Sequence, residues 1–176
     1  TAGLVTTEAG GTATFSVRLT SKPRANVAIP VSSSLAAEGT VAVANLTFTA
    51  ATWNVPQTVT VTGVNDFVQD GNIAYQVVLA AATSTDPLYS GRNPADVSVT
   101  NTDNDVAGFT VSPTAGLVTT EPGGNATFTV KLMSQPVANV VIAVSSSNTF
   151  EGTVSVSSLT FTPANWNVAQ TVTVHG

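Results

Sequence analysis

The sequence predicts an all-β chain built from tandem sandwich repeats, on three observations: an internal duplication, a period-two alternation of apolar residues, and a dominance of β-branched side chains. Thr and Val supply roughly a third of the 176 residues. Such side chains lose rotamer freedom in a helix and suit a pleated, half-buried surface. Charged residues make up only 9 %, against about 25 % in an ordinary soluble domain. The hydrophobic fraction of 43 % argues for a packed core. Thr fills the exposed positions that Lys and Glu usually take.

The duplication sets the organisation. Residues 1–63 align without a gap on residues 114–176, an offset of 113 residues, with 44 of 63 positions identical. The opening reads TAGLVTTEAGGTATFSVRL in one copy and TAGLVTTEPGGNATFTVKL in the other. A period near 113 is too long for a solenoid unit and right for a whole domain. We therefore expect a first repeat over residues 1–105, lacking its first strand, and a second over 106–176, lacking its last two. The chain reads as a piece of a longer polypeptide. The unfinished second sandwich would be completed either by that longer sequence or by a neighbouring chain.

Within the first copy, seven runs alternate with period two. They fall at 4–8, 12–20, 26–34, 40–49, 57–64, 73–81 and 95–102. Phe15, Val17 and Leu19 share one face, and so do Val27, Ile29 and Val31, then Leu46 and Phe48, then Val59 and Val61, then Tyr75, Val77 and Leu79, and last Val97 and Val99. The fourth run is expected to break at Ala44-Asn45. Gly10-Gly11, Pro23, Gly39, Asp70-Gly71 and the stretch from Asp86-Pro87 to Pro94 mark the turns. Seven short strands in about 105 residues form the immunoglobulin-like antiparallel sandwich pattern. An additional strand, Gly108 to Val111, precedes the second copy.

Composition narrows the function. A net charge of −5 and only five basic residues exclude a phosphate-neutralising surface, so no nucleic-acid partner is expected. No run approaches the roughly 20 apolar residues of a spanning helix, so no membrane insertion is expected. The absence of cysteine removes disulfides, thiol catalysis and thiolate metal sites. His175, the single histidine, replaces Thr62 of the first copy on an outward strand position and supports neither a triad nor a zinc site. We expect no enzymatic activity and no catalytic residues.

The acids are unevenly placed. If the first, third, fifth and seventh runs point one way, then Glu8, Glu38, Asp66, Asp70, Asp103 and Asp105 gather at one pole, and Asp86 and Asp96 lie at the other. Clustered carboxylates repel unless a cation neutralises them. Ca²⁺ takes six to eight oxygens from carboxylates, amides, carbonyls and water, and Asn65, Asn101 and Asn104 could add amide oxygens. The alternative is a set of solvated loop residues.

The segments TVTVTGVNDFVQDGNIAYQVVL (58–79) and VSVTNTDNDVAGFTV (97–111) resemble Calx-β domains, immunoglobulin-like modules of sodium–calcium exchangers, integrin β4 and many bacterial surface proteins. The resemblance implies a calcium site shared by the loop after the fifth run, the acids after the seventh and a Glu at the end of the first. The matching positions are Asp66 and Asp70, Asp103 and Asp105, and Glu8. It also implies Ca²⁺ as the cofactor, an inter-domain junction stiffened by it, and an extracellular, cell-surface location.

The expected function is a structural spacer or adhesion repeat of a large bacterial surface protein. Its partners would be neighbouring repeats of the same chain and other copies in a fibre. Two alternatives stand beside it. One is a carbohydrate- or protein-binding accessory module of a secreted enzyme, with Trp53 and Tyr75 or Tyr89 as its aromatic face. The other is a filament subunit completed by a neighbouring chain. Trp53 and Trp166 are repeat-equivalent and are read first as packing anchors. Asn45-Leu-Thr47 and Asn125-Ala-Thr127 match the glycosylation pattern.

Overall fold

The computed structural model describes residues 3–176. Among them there are strands, turns and no helix. The chain divides into two compact units: one runs to Asp66 and resumes over Asp70–Asn104, the other comprises Phe67–Gln69 and Asp105–Gly176.

The first unit is a two-sheet sandwich. Its strands are β1 (Leu4–Thr7), β2 (Thr12–Val17), β3 (Val27–Ser33), β4 (Gly39–Val41), β5 (Asn45–Phe48), β6 (Gln57–Gly63), β7 (Ile73–Leu79), β8 (Thr83–Ser84) and β9 (Val97–Thr102). One sheet has the order β1-β9-β7-β3-β5, with β8 also on β3; the other is β2-β6-β4. The β1–β9 pair is parallel, Leu4 opposite Val99 through Thr7 opposite Thr102. The other ladders are antiparallel. The fourth run does break as its sequence suggests. β4 pairs with β6 and β5 with β3, so the chain crosses between sheets over Ala42–Ala44. This is the immunoglobulin-like arrangement.

The alternation of the sequence becomes the core. Val27, Ile29 and Val31 of β3, Leu46 and Phe48 of β5, Val59 and Val61 of β6, Tyr75, Val77 and Leu79 of β7 and Val99 of β9 are buried in one cluster. Each buried apolar side chain of this size contributes about 1.5–3 kcal/mol relative to exposure. Trp53 packs partly buried against the cluster, and its carbonyl accepts the Leu19 N–H at 2.9 Å. The tryptophan closes one end of the sandwich.

The second unit repeats the plan in part. Its strands are β10 (Phe109–Ser112), β11 (Asn125–Leu132), β12 (Val140–Ala143), β13 (Thr153–Val154), β14 (Ser158–Phe161) and β15 (Gln170–His175). They form the sheets β10-β11-β15-β13 and β12-β14. Val130, Leu132, Leu159, Phe161 and Val172 make a smaller core, with Trp166 packed on it. The Trp166 carbonyl accepts the Leu132 N–H at 3.0 Å, repeating the Leu19–Trp53 bond. The Phe67 ring lies 5.7 Å from the Trp166 ring at a 42° tilt, and the Phe67 carbonyl accepts the Gln135 N–H. The ring and carbonyl contacts of Phe67, a residue of the β6–β7 connection, make it part of the second unit.

Residues 117–120 repeat β1 in sequence but form no strand, apart from a single bridge from Thr120 to Gly124. β1 is held by its ladder to β9, and among the described residues no strand lies beside 117–120. Identical residues therefore take different secondary structure, because a strand is stabilised by its neighbour rather than by its own propensity.

Candidate functional site

Strand direction gathers the acids of the first unit. β1 is parallel to β9, β9 antiparallel to β7, and β7 antiparallel to β3, so β1, β3 and β9 end at the same pole. β6 ends there too, since the Gly63 N–H donates to the Gly11 carbonyl at 3.0 Å. Glu8 follows β1, Glu38 follows β3, Asp66 and Asp70 follow β6, and Asp103 follows β9. The basic residues of this unit lie elsewhere in the topology. Arg18, Lys22 and Arg24 are in the β2–β3 connection, and Arg92 is in the β8–β9 connection. Both connections belong to the opposite pole, which also carries Asp86 and Asp96.

The carboxylates form close groups. Glu38, Asp66 and Asp70 each place one oxygen within 4.8 Å of the others, and Glu8 and Asp103 are equally close. Glu8 is 2 % and Glu38 7 % exposed, unusual for side chains that are almost never buried unless paired. The Glu8 carboxylate accepts the Asn104 N–H at 3.2 Å, and Asp103 accepts the Gly71 N–H at 2.7 Å. The Asp103 N–H in turn donates to the Asn72 side chain at 3.0 Å. These bonds tie the loops after β1, β6 and β9 together. Asp105 is half-buried and is the first residue of the second unit's main segment.

Beneath the carboxylates lies a polar network that sequence reasoning did not find. Asn101 is 1 % and Thr6 0 % exposed. The Thr6 hydroxyl donates to Asn101 Oδ1 at 3.0 Å and lies 3.3 Å from the Tyr75 hydroxyl. Asn101 Nδ2 donates to Glu38 Oε2 at 3.3 Å and to the Val64 carbonyl at 3.0 Å. The amide oxygen of Asn101, expected as a cation ligand, accepts the Thr6 hydroxyl. That of Asn65 accepts the Asn104 amide N–H at 3.1 Å. These asparagines link the loops that carry the acids. The only advance signal was a pair of polar residues at inward strand positions, a phase that normally carries Val.

Asp86 and Asp96 serve the opposite pole. Asp86 accepts the Arg24 N–H at 2.8 Å and the Leu88 N–H at 3.0 Å, and Asp96 accepts the Leu79 N–H at 2.9 Å. The Arg24 and Leu88 amides hold the Asp86 carboxyl below its ordinary pKa, since bonds to the charged form favour it. Both acids stitch backbone.

The aromatic candidates do not form an open platform. Tyr75 is buried in the core. Tyr89 is anchored through its hydroxyl to Ser21, and Trp53 packs on the core. Tyr75 was expected as one partner of a sugar-stacking face; its burial removes it from that role. His175 is exposed and lies 2.8 Å from Asn125 Oδ1.

No protein-family model and no curated protein matches this chain. Among solved structures it is similar to CBD12 from CALX1.2, at 14 % identity and a TM-score of 0.46, over 98 % of this chain and 72 % of that one. It is also similar to the YadV chaperone, at 8 % identity and a TM-score of 0.41, over 97 % of this chain and 81 % of the other. The fold assignment rests on the strand order and register described above.

The oxygen donor set suits one class of ion. Glu38, Asp66 and Asp70, and separately Glu8 and Asp103, offer hard carboxylate oxygens in close groups. The pole has no sulfur or imidazole donor. Such ligands select Ca²⁺ or Mg²⁺ over zinc or copper, and loops contributing several carboxylates favour the larger ion, which accepts irregular geometry.

Proposed function

We propose that the chain is a non-catalytic, Calx-β-like structural repeat of an extracellular surface protein, and that Ca²⁺ binding at the acidic pole of the first unit stiffens it as a spacer. The observation that carries this reading is the gathering of Glu8, Glu38, Asp66, Asp70 and Asp103 at one pole, two of them buried. Asp105, two residues beyond Asp103, is proposed as an added ligand. The chain leaves the first unit at this pole, so an ion there would fix the direction in which the polypeptide continues. The duplication supports a role in which several similar modules are strung together, and the low charge and β-rich composition suit a rigid, exposed stalk.

A thermal melt in Ca²⁺ and in EDTA tests it. A ligand that binds only the native state raises stability by mass action, about 2.7 kcal/mol at a hundredfold excess over Kd. Support would be a Ca²⁺-dependent rise in melting temperature that Asp66→Asn with Asp103→Asn removes. An identical melt at millimolar Ca²⁺ and in EDTA would leave the pole as a hydrogen-bonded loop cluster and remove calcium from the reading.

A further inference from the structure

In the first unit β1 and β9 lie side by side and parallel, and Thr6 is the register partner of Asn101. The two side chains meet in the interior, both almost fully buried. The Thr6 hydroxyl donates to Asn101 Oδ1 at 3.0 Å. A C=O bond is about 1.23 Å long, so the hydroxyl oxygen lies within about 4.2 Å of the amide carbon. A small rotation of the amide brings the two to about 3–3.5 Å, the near-attack range.

The neighbours fix both groups. Asn101 Nδ2 donates to Glu38 Oε2 at 3.3 Å and to the Val64 carbonyl at 3.0 Å. The Thr6 proton is directed at Asn101, so the Tyr75 hydroxyl, 3.3 Å from Thr6 Oγ, is the donor in that contact. It holds the threonine oxygen beside the amide. Glu38 and Tyr75 are buried as well. The adjacent inward positions of the same strands are Leu4 and Val99, which pack in the core. Packing alone therefore does not call for a hydroxyl, an acyl group and a carboxyl in one buried place.

We propose that Thr6 and Asn101 form an intramolecular ester, a covalent tie between β1 and β9. Thr6 Oγ adds to Asn101 Cγ, and its proton passes to Oδ1 along the existing hydrogen bond. The carbonyl re-forms as Oδ1 gives up that proton, and the Cγ–Nδ2 bond breaks. Glu38, in contact with Nδ2, supplies the proton with which the nitrogen leaves as ammonia, and it recovers one from Oδ1. Well-oriented groups in one molecule react with effective molarities of about 10⁵–10⁸ M. Exclusion of water protects the product from hydrolysis. Tension between β1 and β9 then runs through a covalent bond in addition to their ladder.

Intact-mass spectrometry of the denatured full chain tests it. The expected mass is that of the sequence less one ammonia, and trypsin should release residues 1–18 joined to residues 93–131. Mild alkali should separate the two segments with the gain of one water. Thr6→Val should keep the full mass, and Glu38→Gln should slow the loss of ammonia by about 10²-fold or more. Glu38 also belongs to the proposed calcium site, so the chain is folded both in Ca²⁺ and in EDTA, and formation in either supports the ester. The full mass in both would overturn the proposal, whatever the variants do to folding. So would an ammonia loss confined to one tryptic segment, because an asparagine that cyclises on its own backbone sheds ammonia too. An undiminished loss in Thr6→Val would count equally against it.

Discussion

Gly39 lies directly against the Tyr75 ring, so closely that a Cβ at this position would occupy the space of the phenol. The Tyr75 hydroxyl in turn stands 3.3 Å from Thr6, at the base of the acidic pole. One glycine therefore admits the aromatic that the buried polar network leans on.

Gly39→Ala is expected to destabilise the first unit by about 1–3 kcal/mol, the range for overpacking a well-filled site. The same change at its repeat-equivalent, Gly152, is expected to be near neutral, since only the His175 carbonyl must give by a few tenths of an ångström. Denaturant unfolding of the two variants checks the pair; equal losses would mean that Tyr75 does not define the site.

Asn101→Ala should cost about 2–4 kcal/mol. It removes the acceptor for Thr6 and the donor to Glu38 and Val64, leaving buried groups without partners at about 1–3 kcal/mol each. Asn101→Asp should be no milder, because it adds another carboxylate beside Glu38. Amide exchange at Val64 and over β1 reports the loosening directly, and unchanged protection in either variant would refute the bridging role.

Asp70→Asn separates the cation reading from the solvated-loop reading. Without Ca²⁺ it relieves repulsion among Glu38, Asp66 and Asp70 and should raise the melting temperature slightly, because exposed charges interact weakly. In millimolar Ca²⁺ it removes a ligand and should lower the melting temperature relative to the parent chain. A variant that ranks the same way in both conditions would count against ion binding.

Asp86 predicts a pH dependence. Its folded pKa lies below the ordinary 3.8 because the Arg24 and Leu88 amides donate to the carboxylate. The unfolded state thus takes up its proton first as pH falls. The stabilisation is full above the ordinary value and is lost as pH drops through the folded one. The stability gap between the parent chain and Asp86→Asn should be widest near neutrality and narrow below about pH 4. A constant gap down to pH 2 would show that the amides do not depress the carboxyl.

Much of the sandwich was legible because alternation with period two records which face of each strand is buried. Val59 and Val61, or Tyr75, Val77 and Leu79, declare a face without reference to any other strand. The poles were legible for the same reason: strand parity places every loop, and so Glu8, Glu38, Asp66, Asp70 and Asp103 could be gathered from order alone. Asn101 and Thr6 were not, because their place depends on which strands are neighbours. β1 lies parallel to β9, and only that pairing brings a hydroxyl from residue 6 to an amide from residue 101. Phe67 was not legible for a similar reason, since a loop residue carries no alternation to say which core it joins.

The sequence by itself determined that this protein is a duplicated β-rich chain, which faces of its strands are apolar, and that Glu8, Glu38, Asp66, Asp70 and Asp103 gather at one end of the first sandwich. These follow from local chemistry and chain order. Only the tertiary structure decided that Asn101 bridges Thr6, Glu38 and Val64, that Asp86 fastens backbone, and that Asp96 holds the Leu79 amide. The physical reason is common to all three. A hydrogen-bonding group is defined by the partner it meets, and in a sheet that partner comes from a distant part of the chain.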